Sequence, residues 1–129
     1  MASVPAFAST PRTAVAQIST ANTNRDGTGT IATVMTGAAA GTRIDDVKIV
    51  ATGATTAGVV RLFLHDGSNA RLWAEVLVSA ITPSTSVAVW SAELTDLGLV
   101  LQDANWSLRA APHNAEGFNV CVTRAGDYT

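Results

Sequence analysis

The chain has 129 residues and a formal net charge of −2; 47% of it is hydrophobic and only 14% charged, a length that holds one core and so one domain. Its eight basic residues (Arg12, Arg25, Arg43, Lys48, Arg61, Arg71, Arg109, Arg124) are scattered along the sequence, whereas a nucleic-acid partner wants a concentrated basic stripe. No apolar run approaches the ~20 residues of a membrane span, and a single cysteine, Cys121, excludes an internal disulfide and a thiolate-rich metal site.

Residues 1–12, with Pro5, Phe7 and Pro11 among Ala, Ser and Thr, read as an extended arm with no core of its own to join. They lack the basic first segment and continuous apolar block of a signal peptide, so synthesis in the cytoplasm is expected. Residues 13–129 read as one all-β domain. Its β-like runs are TAVAQIS (13–19), TIATVMT (30–36), RIDDVKIVAT (43–52), GVVRLFLH (58–65), ARLWAEVLV (70–78), SVAVWSAEL (86–94), NWSLRAA (105–111) and FNVCVTR (118–124). Between them sit NTNRDGTG, TGAAAG, TGATTAG, DGSN, TPST and PHNAEG, which accept or enforce turns. LTDLGLVLQDAN (94–105) has Gly98 in its middle and is expected as a structured loop. This rhythm predicts about eight strands in an antiparallel sandwich or barrel.

Alternation assigns the faces. Trp106, Leu108 and Ala110 point one way and Asn105, Ser107 and Arg109 the other; Phe118, Val120 and Val122 oppose Asn119, Cys121 and Thr123. The runs at 58–65, 70–78 and 86–94 are apolar on both faces, which implies a central position or a second buried surface. His65-Asp66-Gly67 invites reading as a catalytic or metal pair. Joining its flanking strands through residues 66–70 puts Leu64 opposite Leu72, Leu62 opposite Ala74 and Val60 opposite Val76, with His65–Arg71, Phe63–Trp73 and Arg61–Glu75 on the other face. A loop one residue shorter mixes Arg71 and Glu75 into the apolar face, so the first register is expected and the His-Asp pair becomes a strand end and turn.

Other candidates weaken on inspection. NTNRDGTGTIAT (22–33) opens like a calcium loop with Asn22, Asn24 and Asp26, but its twelfth position is Thr33 where a bidentate Glu belongs. Gly27-Thr28-Gly29 opens no helix and so is no phosphate loop. His65 and His113 have no second ligand at metal spacing, and no strained GxSxG turn presents a nucleophile. Neither catalytic, cofactor nor metal-binding residues are assigned. Asn105-Trp106-Ser107 matches a glycosylation sequon, but Trp106 falls in phase with core residues. Trp73 and Trp90 lie in runs apolar on both faces and are candidates for a second buried surface.

The stretches TANTNRDGTGTIATV, TRIDDVKIVATGATTAGVVRLFLHDGSNARLW, SAITPS and WSLRAAPHNAEGFNV together resemble the small virion proteins of tailed bacteriophages, over about residues 13–125. The resemblance implies a jelly-roll-like β-sandwich that decorates the outer capsid surface, as a homo-oligomer (a trimer) bridging neighbouring subunits of the major capsid protein. It implies no catalytic residues. On that reading the contact residues are Phe63, Trp73, Trp90, Arg61, Arg71 and Glu75 on the sheet, and Pro5, Phe7 and Pro11 in the arm. Two further readings compete: a tail-associated receptor- or carbohydrate-binding module using the tryptophans, and a small hydrolase using His65 or His113.

Overall fold

The computed structural model describes residues 7–128. They form nine strands: β1 (Ala8–Ile18), β2 (Ala32–Thr36), β3 (Thr42–Ala51), β4 (Gly58–His65), β5 (Ala70–Val78), β6 (Ser91–Leu94), β7 (Leu99–Leu101), β8 (Ser107–Pro112) and β9 (Phe118–Tyr128). One sheet runs β1-β9-β3-β6, with β7 also on β3, and the other runs β2-β8-β4-β5. Every pairing is antiparallel.

The short strands β6 and β7 lie end to end along the same edge of β3. β6 pairs Val47–Val50 and β7 pairs Thr42–Ile44, so residues 95–98 stand opposite only Asp45 and Asp46. The surplus is taken up at Asp96 and Gly98, both with positive φ (53° and 56°), where the left-handed conformation is open to Gly and tolerated by Asp. Gly98 thus bends a strand that continues beyond it, and the expected loop contains β7. With β6 and β7 counted as one broken strand, eight strands pair first with last, second with seventh, third with sixth and fourth with fifth. That wrapping is a jelly roll.

The core lies between the sheets. Ile44, Val47, Ile49, Phe118, Val120 and Val122 meet Val60, Leu62, Leu108 and Ala110 from the other side, all of them buried. Trp90 meets Phe118 edge to face, with ring centroids 5.7 Å apart and planes at 89°, the arrangement that the ring quadrupole favours. Alternation placed the faces of β8 and β9 correctly, and Trp106, just ahead of β8, is half-buried against the core.

Several boundaries differ from expectation: β2 opens at Ala32, two residues late, and β9 runs to Tyr128, past the expected end at 124. β1 opens at Ala8, so residues 8–12 of the expected arm belong to the sheet: Ala8 lies opposite Tyr128, Pro11 opposite Gly126 and Arg12 opposite Ala125. An edge strand tolerates Pro11 because one side of its backbone needs no partner, and the Arg12 guanidinium fastens the segment to Asp127 at 3.3 Å. In the run 86–94 only residues 91–94 are strand. Residues 84–87 instead close a turn in which the Ser84 hydroxyl accepts the amides of Ser86 and Val87 (both 3.2 Å).

Candidate interaction surfaces

β4 and β5 span the residues expected, and their pairing follows the expected register from Gly58–Val78 through Arg61–Glu75 to Leu62–Ala74. There a bulge intervenes: Phe63 pairs with Leu72, Leu64 with Arg71 and His65 with Ala70. The extra residue is Trp73, half-buried and packed against the core. The expected Leu64–Leu72, Phe63–Trp73 and His65–Arg71 pairs are therefore not formed. Adding one residue to one strand turns an indole inward, where burial favours it, and leaves the shorter register for the turn.

His65 and Asp66 serve that turn. The Gly67 amide donates to His65 Nδ1 (3.0 Å), and Asp66 Oδ1 accepts the amides of Ser68 (2.9 Å) and Asn69 (2.8 Å). Those two amides, Asn69 first, hold the Asp66 carboxyl below its ordinary pKa. Asn22 and Asp26 work alike in the preceding connection: Asn22 Oδ1 accepts the Asn24 amide (2.9 Å) and Asp26 Oδ1 the Thr28 amide (3.1 Å). Among the described residues no group of three or more His, Cys, Asp or Glu side chains is placed to hold a metal ion.

The outer side of β4 is closed by the chain itself. Residues 19–31 leave β1, cross the second sheet as a strap, and return to β2. The Asn22 amide donates to Pro112 O (2.8 Å), its carbonyl accepts from Arg61 Nη1 (3.0 Å), and Arg25 reaches Glu75 (2.8 Å). Gly27 (φ +87°) lies so close to β5 that a Cβ there would stand 2.2 Å from the Ala70 carbonyl oxygen. Beneath the strap Phe63 is fully buried and Arg61 is 1% exposed. Arg61 spends its donors on Glu75 Oε2 (2.9 Å), Asn22 O and His113 Nδ1 (3.2 Å). Guanidinium only donates, so His113 Nδ1 is the acceptor and the imidazole proton sits on Nε2. The Glu75 carboxyl is held below its ordinary pKa by its hydrogen bonds, from Arg25 first and then Arg61.

Several expected contact residues are consequently internal. Phe63 and Arg61 lie under the strap, and Trp90 is buried on Phe118. The strap is the second buried surface that the two-sided apolar pattern of β4 demanded, and it comes from the same chain. Arg71 is exposed, Glu75 lies at the strap's edge, and Phe7 (72% exposed) and Pro11 are on the surface; Pro5 lies outside the described residues. With Trp90 buried and Trp73 and Trp106 half-buried against the core, the tryptophans make no exposed stacking platform.

The open apolar positions lie elsewhere. Leu77, 79% exposed, sits opposite Val59 beside a shallow hollow of about 360 Å³ that also includes Ala57 and Gly58, and Leu72 is exposed on the same edge strand. On the outer face of the other sheet Val15 (70% exposed) starts a row that continues through Cys121, half-buried, and Lys48 to Glu93. Alternation carries the signal for both: Leu77 is in phase with Glu75, and Val15 with Thr13 and Gln17, all on solvent faces.

Fold and surface define an all-β, jelly-roll sandwich with large apolar side chains open on the outer faces of both sheets, at Leu77 and Val15. No family model matches the chain, and no curated protein matches it. Among solved structures it is similar to a chain described as "Cyanophage Pam1 capsid asymmetric unit", with 20% identity and a TM-score of 0.39 over 99% of this chain and 91% of that one.

Proposed function

We propose that the protein is a non-enzymatic structural component of a tailed-phage virion, assembling with copies of itself and with the major capsid protein on the outer shell. The observation that carries this reading is the outward placement of Leu77 and Val15 on opposite sheets of a charge-poor chain. Large apolar side chains held open on rigid strands suit burial by a protein neighbour. A bridging protein needs two such surfaces, one for its own copies and one for the shell. A trimer at a three-fold position repeats each contact three times, so modest individual contacts suffice. Shell binding then stabilises the assembled head by mass action. The jelly roll alone does not choose this role, since lectins use it too; the sequence resemblance to phage virion proteins and the absence of an exposed tryptophan platform favour it over a carbohydrate module.

The test is solution mass by light scattering, with Leu77→Lys and Val15→Lys variants beside the wild type. A trimeric mass lowered toward the monomer by one variant, with its spectrum still that of a folded sheet protein, supports the reading. A wild-type monomer at high concentration that also fails to bind assembled shells contradicts it.

A further inference from the structure

The chain has seven arginines, and five are tied to carboxylates: Arg12 to Asp127, Arg25 and Arg61 to Glu75, Arg43 to Asp45, and Arg124 to Asp46 and Asp96. Arg71 and Arg109 make no ion pair among the described residues, and both line the same hollow of about 260 Å³. Its walls are residues 26–29 and 31 of the strap and residues 65 and 68–71 of the β4–β5 turn, with Arg109 from β8. We infer that this hollow is an oxyanion site, taking a carboxylate or phosphate group between Arg71 and Arg109 with His65 as a third donor.

The donors are left in the right state. Arg109 uses Nε on the Ser107 hydroxyl (2.9 Å), so its two terminal amino groups remain free in the planar fork that matches an oxyanion. Arg71 has no hydrogen-bond partner among the described residues. His65 Nδ1 already accepts the Gly67 amide, so the neutral ring carries its proton on Nε2, the atom left free. Asp26 lines the hollow with its Oδ1 taken by the amide and the hydroxyl of Thr28, and Asp66, outside the lining, holds two amides of its turn on Oδ1. The lining therefore carries two fixed positive charges against one carboxylate, Asp26. At roughly 30 Å³ per water, the hollow has room for a tetrahedral oxyanion and several waters. Nothing in this inference depends on the virion reading.

The experiment titrates the full-length, ¹⁵N-labelled protein at pH 7 with inorganic phosphate, and separately with N-acetyl-glutamate amide, against sodium chloride at matched ionic strength. Saturable shifts confined to the amides of Gly27, Gly29, Ser68, Asn69 and Arg109 are expected, weakened at least tenfold by Arg71→Gln and by Arg109→Gln. Arg71→Gln alters an exposed, unpaired residue and should preserve the fold even if Arg109→Gln does not. Binding of phosphate alone supports the site with a free anion as its occupant, and binding of the glutamate probe supports it with an acidic side chain of another protein. Shifts that match those with chloride, or that survive Arg71→Gln unchanged, overturn the inference.

Discussion

Arg61 is the residue on which the outer half of the second sheet turns. A guanidinium 1% exposed to solvent is tolerated only while its donors are matched, because an unpaired buried charge is costly. Its partners come from three places, β5, the strap and the loop after β8, so the side chain ties these segments together. Arg61→Ala should lower stability by about 3 kcal/mol, whereas Arg25→Ala, at a position 62% exposed, should cost at most about 1 kcal/mol; urea unfolding of the two variants checks the order. The pH dependence follows from Glu75. Its folded pKa lies below the ordinary value, by hydrogen bonds from Arg25 and then Arg61, so its ionised form contributes stability above the ordinary glutamate range. That contribution is lost as pH falls through the lowered folded value. Glu75→Gln should accordingly flatten the acid side of the stability curve, and an unchanged acid slope would show that the pair is not coupled to folding. The Arg61–Glu75 pairing was readable from period-two alternation; the burial of Arg61 was not, because its cover comes from Asn22, far away in sequence.

Among the elements, β4, β5 and the strap decide what the surface offers. The limits of β4 and β5 were legible because apolar runs ended in DGSN and its like, but the bulge at Trp73 was not. Reading alternation assumes one constant register, and a bulge is the local event that breaks it. The strap was hidden for a related reason: NTNRDGTG reads as turn chemistry, and turn residues do not announce which sheet they lie across. Its closeness to β5 is set by Gly27, whose positive φ and 2.2 Å clearance exclude a Cβ. Gly27→Ala should destabilise by at least about 1–2 kcal/mol from the left-handed conformation alone and should speed amide exchange of β4 beneath the strap. Gly53 has open space around it and no positive φ, so Gly53→Ala should be neutral or stabilise by up to about 1 kcal/mol. Equal effects of the two substitutions would mean that the strap is not clamped at Gly27.

For the whole molecule, the sequence was informative about the class of fold and less so about its surface. Eight runs became eight strands of a jelly roll once the broken β6–β7 pair is counted as one, since strand rhythm and two-sheet burial are both written in local alternation. Which apolar residues stay outside depends on what the rest of the chain covers. The strap took Phe63 and the core took Trp90, while Leu77 and Val15 stay open on the outer faces of the two sheets. Imaging the particle in which this protein is proposed to assemble, at a resolution that resolves side chains, tests most directly whether those positions grip neighbours. The account predicts many copies on the outer shell at symmetry-related sites, with Leu77 and Val15 covered by another copy or by major capsid protein. A few copies confined to the tail, or shell-bound copies with both residues facing solvent, would contradict it.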